Sequence, residues 1–378
     1  MKIQWKAWKY LITIFFATWI FIWGWMWLVR RIYPANTTPD LILRPYMGVT
    51  PETNPFLEVW QRWDTLDYQA IAERGYTAFS TALFTPPFYP LLMRLFAPLF
   101  NGNTLASGLL ISGLAFLGCL IVFYLLVRLE LPEQNDPLRS VMYLAFFPTA
   151  FFLIAAYSES LFLLAVLLCF FAVRRRQWFL AGICGGLASF TRTPGPFIIV
   201  PLTWAAWEAC RAGDGRGWIA PILTGIGAIA YPLYVWIGLG LPPTAILNAL
   251  NKRGGYLTLP GLNLVESFSR ILRGQLVAEN MIELGFSLIF IALTVFIVKQ
   301  LPSIYGVYSV TFMLLFLARF GSPQPLISMA RYVLEIFPAF MVLSIWGRKV
   351  WINRIILYLF WLGLLFFSGQ FAIWGWVG

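Results

Sequence analysis

Apolar residues fall in long runs, Tyr10 to Val29 and Leu105 to Val127 among them, separated mostly by short connectors that carry arginine or proline. As helices, these runs are long enough to cross a hydrocarbon core of roughly 30 Å. About ten such runs recur, which predicts an all-α polytopic membrane protein rather than a soluble one. The first run follows Lys2, Lys6 and Lys9. It exceeds the roughly 7 to 15 apolar residues of a signal peptide and no small-residue cleavage site follows, so it is expected to persist as the first helix.

The expected spans are 10–29, 105–127, 140–157, 159–173, 178–192, 195–210, 218–240, 281–299, 303–320, 331–347 and 355–376, a single membrane domain over 1–378 with about eleven helices. Short loops rich in Lys and Arg face the cytoplasm. These are the N-terminus, Arg128 to Arg139, Arg174-Arg175-Arg176, Arg211 to Arg216 and Arg348-Lys349 to Arg354. Two long loops, 30–104 and 241–280, then lie on the outer face, with short turns around AAYSES, TRTPG and GSPQPLISMARY. The apolar stretch Pro87 to Phe100 is expected to be interfacial or re-entrant, because a full span there would invert every later loop. Arg30 and Arg31, just outside the first helix, run against the positive-inside trend.

The formal charge of +11 is dispersed over many loops, with no basic stripe or nucleic-acid motif, and topology accounts for most of it. Histidine is absent, which removes His-based acid–base catalysis, His-ligated zinc and the usual triads. The four cysteines are scattered through apolar segments and suit neither a disulfide framework nor a metal site. No P-loop, GxSxG, dinucleotide-binding fingerprint or EF-hand spacing is present.

Polar residues concentrate in three places. In QRWDTLDYQAIAERGY, Gln61 to Tyr76, a helix over Trp60 to Arg74 puts Asp64 and Asp67 on one face with Tyr68. The pair is either a solvated interfacial surface, a base for a hydroxyl, or a weak divalent-cation site lacking further obvious ligands. In FFPTAFFLIAAYSESLF, Tyr157, Ser158, Glu159 and Ser160 lie between two apolar spans, and Glu159 either serves a wet cavity or caps the next helix. Arg192 and Arg331, with Arg319, sit at helix ends on the disfavoured side. Each suits a phosphate held through two parallel hydrogen bonds, although each can also snorkel, and Arg331 can pair with Glu335 one turn on.

The runs RWDTLDYQAIAERGY at 62–76, FTPPFYPLL at 84–92, FPTAFFLIAAYSESLFLL at 147–164, RRRQWFLAGICGGLASFTRTPG at 174–195 and SMARYVLEIFPAF at 328–340 together resemble the PIG-V-like mannosyltransferase family. The resemblance implies a GT-C-type helical bundle. The enzyme would use a polyprenyl-phosphate sugar donor, with an essential acid in the first outer loop that falls on Asp64. It implies inverting transfer to a hydroxyl of a glycan, glycolipid or protein. Asp64 would accept or orient the hydroxyl proton, Arg192 and Arg331 would stabilise the leaving phosphate, and Tyr68, Tyr157 and Glu159 would position sugar or acceptor. Arg62, Trp63, Asp67, Ser158 and Tyr332 complete the expected substrate-binding set. No cofactor or metal is expected, although a divalent ion stays open, and neither is nucleic acid. The chain is more compact than the eukaryotic members, which favours a bacterial plasma-membrane enzyme facing the periplasm over an ER one. A lipid-linked sugar flippase and a non-catalytic membrane partner are the rival readings.

Overall fold

A computed structural model describes all residues except 1–4, 35, 37, 41–43, 132–135, 254, 276, 322–323 and 378. Lys2, part of the 128–139 connector and part of the GSPQPL turn therefore lie outside the described residues. The described chain is mostly helical, with one two-stranded sheet. Five helices are long and apolar enough to cross a membrane: Trp5–Ile32, Thr104–Glu130, Gly215–Gly238, Ala278–Gln300 and Val350–Ala372. A sixth candidate, Met329–Glu335 with Pro338–Trp346, is bent by 85°. The protein is an all-α polytopic membrane protein.

Several expected spans are shorter or broken. The stretch 140–157 keeps helix only in Pro137–Ala145, then passes through a 3-10 turn, Ala150–Leu153, into irregular backbone up to Ser158. Pro148 ends the helix by removing a backbone donor, and the unwound segment is buried, the one setting in which irregular backbone is tolerated at membrane depth. The span expected at 331–347 breaks just before Pro338, and that at 303–320 stops at Ala318 and becomes a strand. Pro87 to Phe100 forms a helix, Phe88–Phe96, and a 3-10 turn, together too short to cross the core at about 1.5 Å per residue.

Helix Trp178–Thr191 lies between Glu159–Arg174, its predecessor, and Ile219–Leu233, which follows it only after the intervening helix Ile199–Arg211. Glycines permit the closest crossing: a methyl on Gly182 would lie 2.7 Å from the Leu223 Cβ, and one on Gly227 would collide with the backbone of Gly186. Such small-residue contacts replace the hydrophobic drive that lipid cannot supply.

Two strands, β1 (Gly255–Leu257) and β2 (Arg319–Gly321), pair antiparallel with Leu257 opposite Arg319. This clip fastens the long 241–280 loop to the end of the Ser303–Ala318 helix.

Arg30 is explained by its partner. Its Nε lies 3.1 Å from the Glu58 carboxylate, so this cation is neutralised locally.

Candidate active site

Helix Asp64–Arg74 starts at Asp64, later than the sequence pattern suggested, because Trp63 takes φ +51° and ψ −123°. That backbone conformation is uncommon for a residue with a side chain and typically persists where surrounding structure enforces it. Here Trp63 is held by its indole N–H donating to the Gly375 carbonyl at 3.3 Å and by edge contacts with Trp374 and Trp376. The kink places Asp64 and Asp67 in the first helical turn, where the positive dipole end favours carboxylates. The free Asp64 amide donates to the Tyr157 hydroxyl at 3.2 Å.

From this turn an alternating row of charges runs into the protein. Arg253 bridges Asp64, at 3.6 Å, and Asp67, which accepts its hydrogen bond. Asp64 Oδ2 lies 2.9 Å from Arg331 Nη1. Arg331 Nε lies 3.0 Å from Glu159, which lies 2.6 Å from Arg192, whose Nε reaches Glu335 at 2.9 Å. The row thus reads Asp67, Arg253, Asp64, Arg331, Glu159, Arg192, Glu335, with each buried charge facing its opposite, as burial demands. Ser158 joins it through hydrogen bonds with Tyr68 at 2.7 Å and Arg192 at 3.2 Å. The Tyr332 ring lies beneath three guanidinium groups, those of Arg192, Arg319 and Arg331.

The two aspartates differ electrostatically. Burial would raise Asp64, but Arg331 and then Arg253 outweigh it and hold the carboxyl below the usual range. In Asp67 burial wins over Arg253, and the neighbouring Asp64 charge adds to it, so its pKa rises to about 6. Burial also raises the Tyr68 hydroxyl, with the Glu159 charge adding to it, so it stays protonated as a donor.

Asp64 and Arg331 open on a cavity of about 550 Å³, lined also by Phe84, Arg253, Glu279, Glu283, Arg319, Gln324 and Tyr332. A second, mostly apolar groove of about 370 Å³ runs past Pro194, Phe197, Ile246, Leu250, Leu315 and Phe316. Phe84, Arg319 and Tyr332 line both. Arg319 is the cation there without a carboxylate partner among the described residues, and its buried Nε has no hydrogen-bond acceptor. Burial and then the Arg331 and Arg253 charges lower its pKa to about 9, which leaves it charged at neutral pH. The junction therefore presents one cation that pairs with no carboxylate among the described residues. Among the described residues no group of three or more His, Cys, Asp or Glu could hold a metal ion.

Of the residues singled out in the sequence, Asp64, Asp67, Tyr68, Tyr157, Ser158, Glu159, Arg192, Arg331 and Tyr332 meet at this site. Trp63 stands beside it, at the positive-φ position that precedes the helix. Arg62 turns away, tied to Glu58 at 2.5 Å and to the Ala372 carbonyl at 3.2 Å, with its guanidinium over Trp374. Arg331 does not pair with Glu335; the α-helix gives way to a 3-10 turn at Val333–Glu335, and Glu335 goes to Arg192 instead. Arg253 and Glu283 were not foreseen. Lys252-Arg253 in a loop assigned to the outer face, and an acid near the start of an apolar span, are the signals that point to them.

The fold and site define a polytopic helical membrane protein with a buried charged centre at the meeting of a polar cavity and an apolar groove. No family model matches the chain, and no curated protein matches it. Among solved structures it is similar to the crystal structure of ArnT from Cupriavidus metallidurans bound to undecaprenyl phosphate, with 13% identity and a TM-score of 0.49. The alignment covers 76% of this chain and 57% of that one.

Proposed function

We propose that the protein is a GT-C-type membrane glycosyltransferase. It would move a sugar, mannose on the sequence resemblance, from a polyprenyl-phosphate carrier to a hydroxyl of an envelope glycan, glycolipid or protein. The observation that carries this reading is the junction at Arg319. An apolar groove suited to a prenyl chain meets a polar cavity suited to a sugar, with the guanidinium of Arg319, which has no carboxylate partner among the described residues, between them. A polyprenyl-phosphate sugar has the same order of parts: tail, anion, hydroxyl-rich head.

In this reading Arg319 holds the phosphate, with Arg253 and Arg331 at hand as negative charge develops on the departing oxygen. Arg192, saturated by Glu159 and Glu335, supports Glu159 rather than the phosphate. Asp64, kept ionised by its arginines, orients the acceptor hydroxyl for attack on the anomeric carbon from the face opposite the phosphate, which inverts that centre. Tyr68, Tyr157 and Ser158 fix the acid cluster from behind. Segments 30–104 and 241–280 would face the periplasm or exterior of a plasma membrane.

The test is transfer of radiolabelled mannose from synthetic undecaprenyl-phosphate mannose to a native membrane extract, with purified protein beside Asp64→Asn. Transfer by the wild type that vanishes in the variant, with carrier binding intact, supports the reading. Wild-type turnover by Asp64→Asn removes Asp64 from it, and a wild type that neither binds the carrier nor transfers sugar removes the reading itself.

A further inference from the structure

Resting on that reading, one buried carboxylate in the cavity has no assigned work. Glu283 lies in the spanning helix Ala278–Gln300, is 7% exposed, and lines the same cavity as Asp64. Its Oε2 accepts the Ala330 amide at 2.9 Å, which fixes the side chain against the turn that carries Arg331. Unlike Asp64, Asp67, Glu159 and Glu335, it forms no ion pair with any described arginine or lysine. The charged groups that share its cavity are Glu279 one turn earlier on its own helix, and Asp64, Arg253, Arg319 and Arg331 on the other walls.

Transfer needs somewhere for the acceptor's proton to go. Asp64 is a weak acceptor, since Arg331 at 2.9 Å and Arg253 at 3.6 Å stabilise its ionised form. Glu283, buried, fixed by the backbone and outside every ion pair among the described residues, keeps carboxylate lone pairs open to take that proton. It also stands on a membrane-spanning helix rather than on a loop, so its position is set by the scaffold.

We propose that Glu283 is the general base of the transfer, with Asp64 aligning the acceptor. The acceptor oxygen forms its bond to the anomeric carbon as the bond from that carbon to the phosphate oxygen breaks. The electron pair leaves on the polyprenyl phosphate beside Arg319, and the hydroxyl proton passes to the Glu283 carboxylate.

Glu283→Gln is the informative variant, because its amide oxygen can still accept from Ala330 and its volume is unchanged. Native membrane lipid extract supplies both donor and acceptor, and released polyprenyl phosphate is measured across pH, so the identity of the sugar need not be known. Binding of undecaprenyl phosphate to the purified protein is measured in parallel. The expected result is release lowered by about 100-fold or more, a typical general-base contribution, loss of the acid limb of the pH–rate profile, and unchanged binding. Release within threefold of wild type, or binding lost in step with release, overturns the assignment and leaves the donor reading standing. A wild type that binds no undecaprenyl phosphate and releases none overturns both.

Discussion

Arg192 sits between two carboxylates that are each 1% exposed at the side chain, at 2.6 Å from Glu159 and 2.9 Å from Glu335. Replacing it by methionine keeps much of the volume and removes the charge. Glu335 is then left without an arginine among the described residues, while Glu159 keeps Arg331 at 3.0 Å, and two carboxylates about 5.5 Å apart at an effective dielectric near 20 repel by about 3 kcal/mol. Removing one partner from a buried ion pair costs about 3 to 5 kcal/mol in measured cases, so Arg192→Met is expected to lose about that much. Thermal unfolding of the detergent-solubilised protein, followed by tryptophan fluorescence at pH 7.5, reads the loss. The double variant Arg192→Met with Glu335→Gln should recover part of it, because it removes the charge left unpaired. Wild-type stability of the single variant refutes the reasoning. So does a double variant no more stable than the single one, and so does a loss confined to undecaprenyl phosphate binding, which would mark Arg192 as a phosphate ligand instead.

Arg319→Ala should weaken undecaprenyl phosphate binding by about 10- to 150-fold, the worth of a charge-assisted hydrogen bond of about 1.5 to 3 kcal/mol, as read by native mass spectrometry, while undecaprenol, which lacks the anion, binds both forms alike. Asp67 titrates near 6 in the folded protein, above the ordinary 3.8. The folded state therefore holds the extra proton between about pH 4 and 6, and this group's contribution to stability falls as pH rises through that window. Asp67→Asn should flatten the melting temperature against pH there, and an unchanged slope would contradict the assignment. Gly227→Leu should force apart the helices Trp178–Thr191 and Ile219–Leu233, lowering the yield of folded protein in size-exclusion chromatography, whereas Gly24→Leu, where an added Cβ meets nothing within 4 Å, should behave as wild type.

The apolar runs made the helical membrane architecture legible because their length maps directly onto bilayer thickness. They misled at Pro148 and Pro338, where an apolar composition hides a backbone that must unwind. The acids and arginines of the site were legible for a related reason, since a charge in an apolar setting needs a partner. Which partner each took was not. Arg331 and Glu335 have helical spacing, yet a 3-10 turn separates them and Arg192, more than a hundred positions away, takes the acid. Arg253 escaped notice because its role depends on strand β1 pairing with β2, a long-range register that three residues of sequence do not encode. That Arg319 pairs with no carboxylate among the described residues is likewise a property of packing, visible only once Asp64, Asp67, Glu159 and Glu335 are seen to be taken by other arginines.

The apolar groove between Pro194, Phe197, Leu247 and Leu315 is lined in part by exposed apolar side chains, Phe197 and Leu247. On the proposed function, a lipid-linked substrate entering by this route would never pass through water, so its supply would be a surface density within the bilayer. Turnover would then follow the mole fraction of carrier in the membrane or micelle and fall as inert lipid or detergent is added at constant bulk concentration. Rates measured at different detergent ratios become comparable only on that two-dimensional scale.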